Sequence, residues 1–205
     1  MKKLLTLLFV LGLTPLWGAP LYRAGQSKAR LPDFYRWELA AHGMVSSVSL
    51  TDFTGSNTLN GAKGVGLGGL YYLRPWLGLG AEGTYLLKQE LPPFVEKYQA
   101  LRGGLLAKFV LSPDTLPRVY AVLGAGKTEY RLAYTKVPAT AHWGRTAKRI
   151  GYVRVGLGLE TDLRQPFFIG IEAGALYNCA THLSAYYALE KRWEFDGRFR
   201  AGVRF

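Results

Sequence analysis

Taken in steps of two, residues 193–205 separate into two unlike faces. Trp193, Phe195, Gly197, Phe199, Ala201, Val203 and Phe205 alternate with Glu194, Asp196, Arg198, Arg200, Gly202 and Arg204. A period of two marks a β-strand, whose successive side chains point to opposite sides of the sheet. Charges of both signs crowd one face and aromatics fill the other. That combination fits a strand with lipid on one side and a packed polar interior on the other.

Seven earlier segments carry the same alternation, near residues 36–45, 64–73, 76–87, 101–111, 119–127, 151–162 and 167–177. Each is close to the roughly 9–11 residues that a tilted strand needs to cross the hydrocarbon. Short turns at Arg74-Pro75, 112–117 and 164–166 alternate with longer loops expected at 46–63, 88–97, 128–149 and 178–192. Short turns on one side and long loops on the other place both termini in the periplasm. Tyr71, Trp76, Phe167 and Phe205 fall at the periplasmic strand ends, and Tyr85, Tyr177 and Trp193 at the outer ends, as two aromatic girdles. Lipid cannot satisfy an open sheet edge, so the sheet must close. The expected fold is therefore all-β: an eight-stranded antiparallel up-and-down transmembrane β-barrel with a polar, largely plugged interior.

The inward positions predict seven acids, Glu38, Glu82, Glu160, Asp162, Glu172, Glu194 and Asp196. Nine bases face them: Arg36, Lys88, Arg102, Lys108, Lys127, Arg154, Arg198, Arg200 and Arg204. Buried charge must be paired, so Glu82, Arg102, Lys108, Arg154, Glu160, Glu172, Arg198 and Arg200 are expected to form a lumen ion-pair network, with inward glycines making room. His42 is placed inside, near Glu38.

The first residues change the compartment. Lys2 and Lys3 precede an apolar run over 4–16 and then Gly18 and Ala19, the layout of a cleaved secretory signal peptide. The expected organisation is a signal peptide at 1–18, a periplasmic tail at 19–33 and a barrel domain at 34–205. Loss of Lys2 and Lys3 lowers the formal charge from +12 to +10, still a surplus suited to an anionic membrane surface. Export argues against nucleic acid as the partner. With 49% hydrophobic residues there is ample apolar surface for lipid. The single Cys179 excludes an intrachain disulfide and any cysteine-based zinc motif.

On these residues the chain resembles the small bacterial outer-membrane β-barrel family, the eight-stranded group that includes the outer membrane protein A transmembrane domain. The resemblance covers about residues 34–205 and rests on the terminal Phe205, with Phe199, Ala201 and Val203 at alternate positions, and on the phrase Arg74-Pro75-Trp76-Leu77-Gly78-Leu79-Gly80-Ala81-Glu82. It implies outer-membrane insertion, with Phe199, Val203 and Phe205 as the signal read by the barrel-assembly machinery. Val203 departs from the aromatic usual at its position.

Chemistry is sparse. Gly64-Val65-Gly66-Leu67-Gly68-Gly69 matches a dinucleotide fingerprint, but it lies inside a strand rather than before a helix. His182-Leu183-Ser184 is similar to the His-x-Ser of the lipid A deacylases, also eight-stranded barrels; Asp196 would be the third member of a catalytic set, with Glu194 and Glu190 as alternatives. No Asn follows Ser184, as one does in that family. Three scattered histidines make a poor metal site, and no cofactor is expected. Arg131, Lys136, Arg145, Lys148 and Arg149 surround a lone Glu129 in the expected third loop, where they could hold lipopolysaccharide phosphates. The reading favoured is a non-enzymatic barrel with a structural or surface-interaction role and partners in outer-membrane lipid, lipopolysaccharide and host or cell-surface ligands. A lipid A-modifying enzyme and a narrow pore are the alternatives.

Overall fold

The computed structural model describes residues 35–52, 58–87, 95–113, 116–134, 144–164, 166–184 and 187–205. The expected signal peptide and tail lie outside them. The described residues form nine strands: β1 (Trp37–Asp52), β2 (Thr58–Arg74), β3 (Leu77–Leu87), β4 (Val95–Val110), β5 (Arg118–Tyr134), β6 (Gly144–Arg164), β7 (Phe167–Asn178), β8 (Tyr187–Leu189) and β9 (Trp193–Arg204). All pairings are antiparallel, and eight long strands follow one another around a closed barrel in which β9 returns to β1. The three-residue β8 joins the upper end of β1 instead.

Side chains alternate in and out as the period of two requires. Leu39, Val45, Leu67, Leu105, Leu123, Val155, Ile171 and Phe199 are exposed around the outside, as a lipid-facing belt must be. Trp37 meets Tyr71 at 4.9 Å between ring centroids, their planes tilted by 60°, near one rim. Tyr177 meets Trp193 at 5.0 Å near the other. Inside, bulky side chains sit opposite glycines in register: Tyr72 faces Gly78, Tyr120 faces Gly158 and Phe168 faces Gly202. A Cβ at Gly158 or Gly202 would collide with the ring beside it, and one at Gly78 would press tightly on Tyr72.

The strands run well past the expected segments. Most of the loops expected at 46–63 and 128–149 are instead the upper halves of β1, β2, β5 and β6. The 21-residue β6 rises roughly 50 Å if tilted near 40°, about twice the apolar band. The excess forms a crown above the outer aromatic level. There the polarity reverses: outward Ser47, Ser49 and Thr51 alternate with inward Val48 and Leu50. The crown therefore has an apolar core of its own, in which Val48, Leu50, Leu86, Tyr98, Leu132, Leu183, Tyr187 and Leu189 are buried. This core caps the barrel.

Two expected lumen bases are corrected. Arg36 is exposed at the periplasmic rim. Lys127 is exposed on the outer wall, because the even-numbered residues of β5 (Tyr120, Val122, Thr128) point inward. Lys88 lies outside the described residues.

Candidate functional site

The lumen below the cap is filled by side chains in linked layers. Uppermost, Glu194 accepts from Arg102 Nη2 (2.7 Å), Asn178 Nδ2 (2.7 Å), Tyr130 OH (3.2 Å) and Ser46 Oγ (3.3 Å). In the middle, Arg154 pairs with both Glu172 and Asp196, and Arg198 pairs with Asp196 at 3.0 Å and Glu82 at 2.6 Å. Lowest, Lys108 sits between Glu38 (3.0 Å) and Glu160 (2.6 Å), with its ammonium 4.5 Å from the Tyr120 ring centroid. Arg204 joins Glu38, Glu160 and Asp162, and Arg118 closes on Asp162 at 3.0 Å. Arg200 ties the lower layers together through Glu38 and Glu172.

Glu82, Arg102, Lys108, Arg154, Glu160, Glu172, Arg198 and Arg200 all lie in this network. Arg118, half-buried beside Asp162, is a member that the sequence reading missed. Among the described residues, seven acids (Glu38, Glu82, Glu160, Asp162, Glu172, Glu194, Asp196) face seven bases (Arg102, Lys108, Arg118, Arg154, Arg198, Arg200, Arg204). These opposite charges balance one another among the described residues. His42 is inside as well, but its hydrogen bond is to Thr84 Oγ1 at 2.8 Å rather than to Glu38.

Other described bases lie outside this balanced network. On the outer wall above the Tyr177–Trp193 pair, β5 and β6 bring Glu129 and Arg149 side by side in register. Arg149 Nε donates to one Glu129 oxygen (2.8 Å) and Arg131 Nε to the other (2.6 Å). Those two hydrogen bonds, the one from Arg149 first, hold the Glu129 carboxyl below the usual glutamate range. Both guanidiniums remain largely exposed, at 73% and 65%, and Lys127 is exposed on the same face, whereas Lys148, opposite the buried Tyr130, is exposed on the other face of β6. Across the wall, Arg192 donates to Tyr177 OH at 2.9 Å. Lys136 and the side chain of Arg145 lie outside the described residues.

The His-x-Ser residues do not meet their acid. His182 is exposed and bridges Ala188 through its backbone. Ser184 Oγ accepts the Tyr187 N–H at 3.1 Å. Leu189 of β8 pairs with Leu50, whereas Asp196 pairs with Ser46, four residues lower on the same strand, or about 13 Å along it. Asp196 is moreover engaged by Arg154 and Arg198. Among the described residues, no group of three or more His, Cys, Asp or Glu could hold a metal ion.

In the last strand, Phe199 and Phe205 face outward, and Val203 stands between Leu39 and Phe167 in register.

No protein-family model matches the chain, nor does any curated protein. Solved structures do. Neisserial surface protein A is similar at 14% identity and a TM-score of 0.54, over 82% of this chain and 95% of that one. Ail, the attachment invasion locus protein of Yersinia pestis, is similar at 13% identity and a TM-score of 0.52, over 83% and 99%. With its eight long strands closed on a polar interior, the chain has the fold of the small bacterial outer-membrane β-barrels.

Proposed function

We propose that the protein is an outer-membrane barrel with a structural and surface-interaction role, and that its basic outer wall holds the phosphates of lipopolysaccharide. The partition of charge carries this reading. A filled lumen of paired charges and an apolar cap do not favour a pore, while Lys127, Arg131 and Arg149 are displayed just above the outer aromatic level. Exposed guanidiniums at headgroup height suit phosphate through paired, charge-assisted hydrogen bonds. The Ail barrel has been solved with the heparin analogue sucrose octasulfate, and a polyanion is the kind of ligand that this rim also suits. The same reading assigns residues 1–18 to export and the Phe199, Val203 and Phe205 face to the assembly machinery. The separation of His182 and Ser184 from Asp196 weighs against a lipid A-modifying enzyme.

The test is binding of lipid A to the barrel in detergent micelles, with bis-phosphorylated and dephosphorylated forms compared. The phosphorylated form should bind more tightly, and Arg131→Ala with Arg149→Ala should erase the difference. Equal binding of the two forms by the unaltered barrel would sink the reading.

A further inference from the structure

A second basic group stands on the outer wall, apart from the one that centres on Glu129. Arg192 is exposed just before β9, and the hydrogen bond to Tyr177 OH holds its guanidinium outward. Tyr177 lies in turn against Trp193, with ring centroids 5.0 Å apart, and Trp193 is exposed at the outer aromatic level. The neighbouring Lys191 reaches instead toward Glu190, at 4.0 Å.

The register fixes what lies between the two groups. From Arg149 on β6 the wall passes β7 and reaches the start of β9, two strand spacings or roughly 10 Å across. Two residues below Arg149 on the same face is Gly151, whose carbonyl accepts from Cys179 N–H at 2.8 Å. Lys127 stands opposite Gly151 on β5. A Cβ at Gly151 would meet Cys179 Sγ at 3.6 Å and Gly126 O at 3.8 Å, both ordinary contacts. Crowding therefore does not demand glycine there; its effect is to lower the wall. The result is a shallow saddle at headgroup height. Lys127 and Arg149 stand on one side, Arg192 on the other, and the Tyr177 and Trp193 rings lie below.

We propose that this saddle binds a disaccharide headgroup that carries a phosphate at each end, as lipid A does, with one phosphate on Arg149 and Lys127 and the other on Arg192. The inference rests on the lipopolysaccharide reading above and adds to it a second phosphate subsite and a preference for two phosphates over one. A guanidinium gives paired, charge-assisted hydrogen bonds to a phosphate. Two such contacts on one rigid wall reward a ligand whose phosphates have the matching separation, because the second contact forms within a complex already made. The sugar rings lie over Gly151, where a side chain would lift them off the wall. The acyl chains descend past the exposed Val153 and Trp193 into the hydrocarbon.

The probes are lipid A with two phosphates, with one and with none, titrated against the full barrel in detergent micelles. The unaltered barrel should bind them in that order of affinity. Arg192→Ala should weaken the bis-phosphorylated form about tenfold or more, as loss of a charge-assisted contact implies. Its affinity should fall to that of the mono-phosphorylated form, which should itself change little. Gly151→Leu should weaken both phosphorylated forms, and Lys191→Ala, which removes a neighbouring charge, should leave all three as they were. If Gly151→Leu does not migrate as a folded barrel, Arg192→Ala decides. Equal affinity for two phosphates and for none on the unaltered barrel would defeat the lipid reading and this site with it. A preference for phosphate that Arg192→Ala leaves intact would overturn the second subsite alone. An equal loss in Lys191→Ala would overturn it too, since the attraction would then be diffuse charge.

Discussion

Trp37 and Phe205 exchange both of their backbone hydrogen bonds: Trp37 N–H donates to Phe205 C=O at 2.8 Å, and Phe205 N–H to Trp37 C=O at 3.0 Å. The last residue of the chain is therefore the bottom stitch of the seam between β9 and β1. Its ring is exposed on the outer face, so the residue combines a backbone role with an exposed aromatic side chain.

Deleting Phe205 separates these roles. Two backbone bonds at roughly 0.5–1.5 kcal/mol each are lost, a penalty that leaves many barrels folded in detergent. If the aromatic terminus also serves assembly, the amount of folded barrel in cells should fall far more than stability in detergent. Gel migration of unheated samples reports both. Equal, modest losses in the two settings would leave Phe205 as a seam residue only.

Arg154 and Glu172 face each other in the lumen, but they are not equivalent. Arg154 serves two carboxylates, Glu172 and Asp196. Arg154→Ala leaves Asp196 to Arg198 and Glu172 to Arg200, so two pairs are broken at once, whereas Glu172→Ala leaves Arg154 with Asp196. Breaking a buried pair from one side costs about 3–5 kcal/mol, so both variants should unfold at lower urea, and Arg154→Ala at the lowest. A negligible shift for Arg154→Ala would mean that the lumen is hydrated.

The membrane band was legible in the sequence because its alternation has one phase throughout: apolar out, polar in. The crown was not, because the phase inverts. On β1 the outward row runs Trp37, Leu39, Ala41, Val45 and then Ser47, Ser49, Thr51, while the inward row passes from Glu38 and His42 to Val48 and Leu50. A reading tuned to lipid-facing strands stops at that inversion and takes the rest for loop. Lys127 was placed inside for a related reason. In β5, Val119, Ala121 and Leu123 alternate with Tyr120 and Val122, so both rows are apolar, and only pairing with Gly158 shows that Tyr120 points inward. Arg118 sits one residue before the expected start of that strand. The ionic layers were legible, since long charged side chains inside a membrane barrel can only pair with one another, but which pairs with which depends on stagger between strands.

Cys179 is a built-in reporter of sidedness. It is the chain's single cysteine and is exposed at the base of the crown. A membrane-impermeant maleimide should label it on intact cells. Labelling only after the periplasm is opened would reverse the topology and, with it, the placement of the crown.

Glu129 competes with any anion for the two guanidiniums beside it. Because Arg149 and Arg131 hold its carboxyl below the usual glutamate range, it stays ionised at neutral and mildly acidic pH and cancels one of the three charges of Lys127, Arg131 and Arg149. Glu129→Gln removes that competitor and leaves the backbone ladder unchanged. Exposed ion pairs contribute little to stability, so the variant should unfold close to wild type. Its affinity for bis-phosphorylated lipid A in micelles should rise several-fold, in line with charge-assisted bonds of about 1.5–3 kcal/mol that are no longer shared. Lowering the pH should produce the same gain in the wild type only once it passes beneath the ordinary glutamate value, when Glu129 protonates. In the variant the gain should be absent. Unchanged affinity in Glu129→Gln would show that Arg131 and Arg149 hold their carboxylate without offering themselves to a phosphate.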